Sequence, residues 1–281
     1  MHDCHTHSVY SEDVDKEKGS SIDAMAARAI ELGLKSLAVT DHLEIDKVVY
    51  PDYHKLDSAA IRRDVMAAKE KYAGRLNLIY GVELAQMMHH PEITEKWLKD
   101  YEYEYIIGSA HTLRGCPDFS CVDFFSGHSD DELKAFWYAY LDELREMLAA
   151  GGFDVLAHIT YPTRYYKLLG KSYIIDIDNK GREYFEDILK TVIDKGIALE
   201  INTSGLRQDL GITLPGRDLA EFYYELGGRE LSFGSDAHYS CDLGKGLRDG
   251  YEMCRDIGFK YVMVIENGEK KHYSLEKELA Q

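Results

Sequence analysis

The chain has 281 residues, of which 45% are hydrophobic and 30% are charged. This composition is typical of a globular protein with enough apolar side chains for a buried core, and it excludes an intrinsically disordered chain. The formal net charge of −17 repels polyanions, so we expect neither a long nucleic acid nor an acidic membrane surface as a partner.

The amino-terminal segment has no basic stretch followed by an apolar stretch, and no apolar run approaches the roughly 20 residues that cross a bilayer. We therefore expect a cytoplasmic protein, and the sequence predicts no particular oligomeric state. The five cysteines are odd in number and scattered, which favours free thiols over disulfides. Cys116 and Cys121 lack the two-residue spacing of a zinc hook, so we expect no ligand role for this pair.

Short apolar stretches alternate with longer amphipathic stretches along the chain, which is typical of βα units and a parallel sheet. The first strand is predicted at residues 2–5 and the first helix at 20–33. Later strands are predicted at 36–41, 76–84, 103–110, 153–158, 197–202 and 230–235. Later helices are predicted at 57–73, 91–100, 130–150, 180–195 and 216–227.

The segment after residue 245 has a different pattern. A helix at Leu247–Ile257 is followed by a predicted hairpin of Tyr261–Glu266 and 271–274, with Asn267-Gly268 as the turn that favours positive φ. No linker or repeat interrupts the chain, so we expect residues 1–281 to form one barrel-like domain. The helix and hairpin of about 245–281 should cover an edge or end of that barrel.

Histidines and acids occur where the predicted strands end. His5 and His7 end the first strand, Asp41-His42 the second and Glu83 the third. The later strands are followed in the same way by His111, His158, Asp236 and His238. Because the carboxyl ends of parallel strands line one face, these side chains should converge there.

Six imidazoles with two or more carboxylates form a donor set that suits Zn²⁺, Mn²⁺ or Fe²⁺ and matches Ca²⁺ or Mg²⁺ poorly. One ion needs only three or four of these donors, so the set predicts two or three divalent transition-metal ions. The other six histidines follow no strand and are interpreted as surface or loop residues: His2, His54, His89, His90, His128 and His272.

The donors lie in short motifs: His-Thr-His at 5–7, Thr-Asp-His at 40–42, Gly-Val-Glu at 81–83, Ser-Ala-His at 109–111, Ala-His at 157–158 and Gly-Ser-Asp-Ala-His at 234–238. In this order and at these intervals they resemble the successive motifs of the polymerase and histidinol phosphatase (PHP) superfamily. The resemblance covers residues 1 to about 240. It implies an α/β fold, a distorted (β/α)₇ barrel with a trinuclear metal site at the carboxyl ends of the strands.

Carried over position by position, the resemblance implies eight metal ligands: His5, His7, His42, Glu83, His111, His158, Asp236 and His238. A further ligand position falls in the acidic segment 8–15, where we favour Asp13 over Glu12. The alternative is that this acidic loop only faces water.

Segments 157–165 and 200–207 resemble the histidinol-phosphate phosphatase branch of the superfamily, and each places an arginine just beyond a strand end. A guanidinium presents a fork of donors that matches phosphate oxygens. Arg164 and Arg207 are therefore the candidate phosphate-binding residues. The alternative is that each is a surface arginine paired with an acid.

The predicted reaction is hydrolysis of a phosphate monoester on a small phosphorylated metabolite, by water that the metal ions activate. By resemblance, the expected substrate is L-histidinol phosphate, an intermediate of histidine biosynthesis, and Asp236 and His238 are candidates for proton transfer. The loops 44–53, 114–125 and 161–171 are expected to recognise its amino-imidazole end. The alternatives are a phosphodiesterase or protein-tyrosine phosphatase of the same superfamily, and a non-enzymatic interaction barrel, which would lack some of the donors.

Overall fold

The computed structural model describes residues 1–48 and 56–280. In these ranges a sheet of parallel strands forms the centre of the molecule: β1 (His2–Asp3), β2 (Ser36–Val39), β3 (His42–Glu44), β4 (Asn77–Ala85), β5 (Tyr105–Ser109), β6 (Val155–Leu156), β7 (Ala198–Asn202) and β8 (Leu231–Gly234). The order is β1-β2-β4-β5-β6-β7-β8. Strand β3 continues beyond β2 and pairs with the second half of β4, with His42 beside Glu83.

The sheet closes on itself between the segment that follows β1 and the end of β8. The backbone N–H of Cys4 donates to the carbonyl of Phe233, and that of Asp236 donates to the carbonyl of His5, both at 2.8 Å. Gly234 allows this close approach, because a Cβ there would lie 2.3 Å from the Cβ of His5. The predicted barrel of seven βα units is therefore confirmed, with β2 and β3 sharing one position.

Seven longer helices follow the strands much as predicted: α1 (Ile22–Glu31), α3 (Ser58–Lys71), α4 (Pro91–Tyr101), α6 (Asp130–Ala150), α8 (Asn179–Asp194), α10 (Arg217–Glu225) and α11 (Leu247–Ile257). Short helices that the sequence did not predict lie in the connections: α2 (Ile45–Val48), α5 (Val122–Ser126), α7 (Thr163–Leu168) and α9 (Ser204–Arg207). Among the described residues, no helix is both long enough and apolar enough to cross a bilayer.

The core lies between the strands and the inner faces of these helices. Helix α6 begins with a capping box in which the Ser129 side chain and Glu132 satisfy each other's backbone N–H groups. Its inner face contributes fully buried Trp137 and Leu144. Both faces of a parallel strand are covered in such a barrel, which explains why β2 reads as a short apolar run with every residue buried.

The predicted hairpin is present at the carboxyl-terminal end, as β9 (Tyr261–Glu266) and β10 (Glu269–Ser274), followed by α12 (Leu275–Leu279). Asn267 and Gly268 form its turn with φ of 52° and 76°. The side chain of Asn77, at the start of β4, donates to the carbonyl of Ile265 at 3.0 Å. The hairpin therefore lies at the amino ends of the strands, opposite the candidate site.

His2 was interpreted as a surface or loop residue but is buried in β1, so that interpretation was wrong for it. His2 is 1% exposed and its Nδ1 lies 2.8 Å from the hydroxyl of Ser36. His89 does lie in a loop, between β4 and α4. The His89 side chain is 3% exposed and lies between two carboxylates. His54 and the loop residues 49–53 lie outside the described ranges.

Candidate metal centre

The carboxylate of Glu83, on β4, is fully buried and surrounded by imidazoles. Its Oε2 lies 2.7 Å from His42 Nδ1. Its Oε1 lies 2.9 Å from His158 Nε2 and 3.1 Å from His111 Nε2. His42 begins β3, His158 lies two residues after β6, and His111 lies two residues after β5. The strands therefore bring together residues that are far apart in the sequence.

The segment after β1 supplies two more imidazoles to the same carboxylate. The Nε2 atoms of His5 and His7 lie 3.4 Å and 3.6 Å from Oε2 of Glu83. His7 Nε2 is also 3.3 Å from Oδ1 of Asp236. Five imidazoles therefore face one carboxylate, as the strand-end pattern predicted.

Asp13 and His238 lie at the outer side of this cluster. Oδ2 of Asp13 is 2.8 Å from His238 Nε2 and 3.4 Å from His42 Nε2. The rings of His42 and His238 both stack on His7, with centroids 4.1 Å and 4.2 Å away. Glu12 instead pairs with Lys47. The structure thus brings Asp13, and not Glu12, to the other donors, while its role as a ligand stays a prediction.

Asp236 has a φ of 54°, a conformation that aspartate adopts only rarely. Its backbone is held on both sides, because its N–H donates to His5 and its carbonyl accepts from Nη2 of Arg207 at 2.6 Å. Arg207 also donates to the carbonyl of Ser235. Its guanidinium therefore holds the loop that carries Asp236, and its predicted contact with phosphate stays untested.

A cavity of about 450 Å³ opens onto these donors. Arg164 lines it with a side chain that is 11% exposed, while Arg207 is not among its lining residues. Nη2 of Arg164 donates to the hydroxyl of Ser204 at 3.0 Å and lies 3.9 Å from Oδ2 of Asp236. The buried Nε of Arg164 has no hydrogen-bond partner, so part of the donor capacity of this arginine is unused.

The donors fit divalent metal ions. Nε2 of His5, Nε2 of His7 and Oε2 of Glu83 are buried and make no hydrogen bond, an arrangement that is costly without a further partner. Three sets of donor atoms each lie within 4.8 Å of one another: His5, His7 and Glu83; Glu83, His111 and His158; and His7, His42 and His238. Mixed imidazole and carboxylate donors at this spacing are suited to transition-metal ions.

The match to a family model decides which family this site represents. The model of the PHP domain matches residues 3–204, which is more than half of the chain. The chain belongs to the PHP domain family. The resemblance deduced from the six motifs is thereby confirmed.

Several relatives of this PHP domain protein carry the name of one enzyme. This chain is 28% identical over 265 residues to a probable histidinol-phosphatase of Thermotoga maritima, covering 94% of this chain and 95% of the relative. It is 26% identical over 239 residues to a probable histidinol-phosphatase of Deinococcus radiodurans, covering 84% and 87%. It is 25% identical over 251 residues to the histidinol-phosphatase of Bacillus subtilis, covering 82% and 91%.

The PHP barrel is also similar to solved structures. Histidinol phosphate phosphatase from Lactococcus lactis, solved with zinc, L-histidinol and phosphate, superposes with a TM-score of 0.77 at 18% identity, covering 96% of this chain and 98% of that one. A putative histidinol phosphatase from Listeria monocytogenes gives 0.75 at 21% identity, covering 89% and 99%. These likenesses confirm the predicted fold.

The charges of the PHP site oppose one another. Burial lowers the pKa of His7 to about 3, with the neighbouring His42 and His238 adding to the effect. Burial acts against protonation of His111 too, but Glu83 and Glu44 raise its pKa to about 10. Although burial favours the neutral acid, the surrounding imidazoles hold the pKa of Glu83 well below its usual value. A cation that binds here must displace protons from some imidazoles.

Carboxylates that the sequence reasoning missed hold the outer nitrogens of two of these imidazoles. His5 Nδ1 lies 2.6 Å from Oε1 of Glu200, and His111 Nδ1 lies 2.7 Å from Oε1 of Glu44. Such outer partners fix the orientation of metal-binding imidazoles. A signal was present in the sequence, because Glu200 is the one charged residue of the buried strand β7.

Proposed function

We propose that this PHP domain protein is a metal-dependent phosphomonoesterase, a histidinol-phosphatase that hydrolyses L-histidinol phosphate to L-histidinol and phosphate. The observation that carries the chemistry is the Glu83 carboxylate surrounded by five imidazoles beside a cavity that Arg164 lines. The choice of substrate is supported by the relatives named histidinol-phosphatase, which align over most of their length. The solved neighbour that holds zinc, L-histidinol and phosphate agrees with it.

Two or three divalent ions, of zinc, manganese or iron, would be held by donors already close together. One set is His5, His7, Glu83 and Asp236; a second is Glu83, His111 and His158; a third is Asp13, His42 and His238. When bound, such ions polarise phosphoryl oxygens and make water a better nucleophile at neutral pH.

The side chains of the cavity supply the other parts of the reaction. Arg164 holds the phosphoryl oxygens through its fork of charged donors, offsetting the charge that builds up as the ester bond breaks. Asp236 and His238 line the same cavity, with Oδ1 of Asp236 at 3.6 Å from His238 Nδ1. In the proposed reaction this pair would pass a proton to the departing alkoxide, in addition to binding metal.

Acidic and aromatic side chains line the cavity beyond the metal donors and suit the amino-imidazole end of histidinol phosphate. Asp118 lines the cavity, and its Oδ1 accepts a hydrogen bond from the Tyr161 hydroxyl at 2.9 Å. The Tyr161 ring also lies 4.9 Å from the ring of His111. A carboxylate attracts the substrate's ammonium group, and aromatic rings can stack on its imidazole. All three loops predicted to recognise this end line the cavity: loop 114–125 through Asp118, loop 161–171 through Tyr161, and the described part of loop 44–53 through Glu44 and Lys47.

The test is a comparison of phosphate esters on chelated protein to which Zn²⁺, Mn²⁺ or Fe²⁺ has been restored. Two specific contacts of about 1.4 kcal/mol each would make the efficiency for histidinol phosphate about 100-fold higher than for p-nitrophenyl phosphate. Comparable efficiencies would refute the substrate but leave a phosphomonoesterase. Preference for a nucleotide diester would favour the phosphodiesterase alternative, and inactivity with every ester and metal would refute an enzymatic function.

A further inference from the structure

Strand β7 differs from its neighbours in the barrel because it carries none of the candidate metal ligands. The other six barrel positions each end in at least one of them. On β7, Glu200 and Asn202 are two residues apart, so their side chains leave the same face of the strand. Both are buried, with exposures of 1% and 0%. A buried carboxylate on this strand therefore has a role to be explained.

Each oxygen of the Glu200 carboxylate has its own partners. Oε1 lies 2.6 Å from Nδ1 of His5. Oε2 accepts from the backbone N–H of His158 at 2.8 Å and from Nδ2 of Asn202 at 3.3 Å. The same Asn202 nitrogen lies 3.4 Å from Oδ2 of Asp236. Glu200 thus connects the segments that carry three of the proposed ligands.

We propose that Glu200 is a positioning residue for the metal centre, which holds the proton of His5 on Nδ1 and thereby keeps the lone pair of Nε2 directed at the metal donors. In the 2.6 Å contact between the two groups the imidazole Nδ1–H is the donor and the carboxylate oxygen is the acceptor, so the proton belongs to His5 Nδ1. A neutral imidazole has one N–H, which leaves Nε2 as the ligating nitrogen. That atom is buried, makes no hydrogen bond and lies 3.4 Å from Oε2 of Glu83.

The substitution Glu200→Gln separates this role from packing, because glutamine has nearly the same shape. The single side-chain oxygen of the glutamine must take the place of Oε2, because His158 N–H and Asn202 Nδ2 both donate to that position. The amide NH₂ then faces His5 Nδ1 and donates to it. The imidazole must accept at Nδ1 and carry its proton on Nε2, where it blocks metal binding.

A competing role is that Glu200 itself binds an ion, since its oxygens and the nitrogens of His5 and His158 include a set within 4.8 Å. A ligand role predicts that Glu200→Gln loses one ion while the remaining ions bind as tightly as before. The positioning role predicts weaker binding at the ion that His5 holds.

The experiment measures zinc affinity by competition with a chromophoric chelator, for the full-length wild type, Glu200→Gln and the control Glu230→Gln. Glu230 also pairs with a histidine, His272, at 2.8 Å, but that pair involves the hairpin far from the site. We expect Glu200→Gln to bind zinc about 10- to 100-fold more weakly, with Glu230→Gln unchanged and both variants folded by circular dichroism. Unchanged affinity in Glu200→Gln, or loss of one ion alone, would overturn the inference.

A second measurement needs no variant, and so remains decisive if Glu200→Gln does not fold. Nitrogen-15 NMR of the zinc-loaded wild type should show His5 protonated at Nδ1, and a proton on Nε2 would overturn the inference. This inference rests on the proposed metal centre but not on the substrate. A wild type that binds no zinc would refute the metal centre itself, whereas equal affinities in wild type and variant would refute only the role of Glu200.

Discussion

Replacing Arg164 by alanine tests whether the cavity binds the phosphoryl group in the way the geometry indicates. Nη2 of the guanidinium donates to the hydroxyl of Ser204, and its buried Nε is without a partner. The guanidinium lies 3.9 Å from Oδ2 of Asp236, and among the described residues it donates to Ser204 but to none of the imidazoles around Glu83. Its removal should therefore weaken substrate capture and leave the metal content unchanged.

The size of the effect follows from the bonds that a phosphate would receive. A hydrogen bond to a charged group contributes about 1.5–3 kcal/mol. Loss of one such bond lowers kcat/KM roughly 10- to 150-fold, and loss of a fork of two lowers it further. Arg164→Lys keeps the charge without the fork and should give an intermediate value. The stacking of Arg164 over Tyr161, at 5.2 Å between two largely buried side chains, adds about 2 kcal/mol of stability that both variants change.

The assay combines kcat/KM for histidinol phosphate with elemental analysis of the same preparations. The contrasting variant is Arg207→Ala, which removes donors to the backbone carbonyls of Ser235 and Asp236. Because the positive φ of Asp236 loses this support, Arg207→Ala should lower metal content and activity together. Normal kinetics for Arg164→Ala, or a parallel loss of metal in that variant, would refute the reasoning.

Two further perturbations act on other parts of the molecule. Glu83→Gln removes the carboxylate that five imidazoles face, so metal content and activity should fall together. The loss of metal affinity should exceed the about 100-fold loss that follows removal of an outer partner. A variant that keeps its metal in elemental analysis and still releases phosphate would contradict this. Burial opposes protonation of His89, but hydrogen bonds with Asp46 and Glu143 raise its pKa to about 9 from the usual 6.5. This protonation stabilises the fold fully below pH 6.5, and the stabilisation, at most about 3 kcal/mol, is lost as the pH rises through 9. The difference in unfolding free energy between wild type and His89→Gln, from urea titrations, should shrink over that range, and a constant difference would count against the pairing.

The barrel could be predicted because each strand has a recognisable local pattern of apolar residues. Runs such as β2 are apolar on both faces, and the long helices repeat apolar residues every three or four positions. The short helices α5, α7 and α9 were not predicted, since one turn or slightly more gives no measurable periodicity. In the folded protein they bury side chains such as Phe125 of α5 and Tyr166 of α7.

The site was predictable to the extent that it follows the ends of strands. The sequence favoured Asp13 over Glu12, and Oδ2 of Asp13 lies 2.8 Å from His238 Nε2, while its role as a ligand stays a prediction. Glu44 and Glu200 were missed because they lie within strands, where an acid is recognisable only once its histidine partner is known. For Arg207 the sequence predicts the position just beyond a strand end. It does not predict that the guanidinium points toward the backbone carbonyls of Ser235 and Asp236.

The strongly negative charge of the chain is compatible with a phosphate ester as substrate, because the net charge and the groups inside the cavity act over different distances. The net charge of −17 is screened beyond roughly 8 Å at physiological salt, whereas Arg164 and the metal donors act inside the cavity. An oligonucleotide would bring many phosphates against the acidic surface, and each adds repulsion. In the proposed reaction a small monoester would bring its dianion only to the metal donors, and acids that line the cavity, such as Asp118, would attract its ammonium group. The same charge distribution therefore favours a zwitterionic metabolite over a phosphodiester chain.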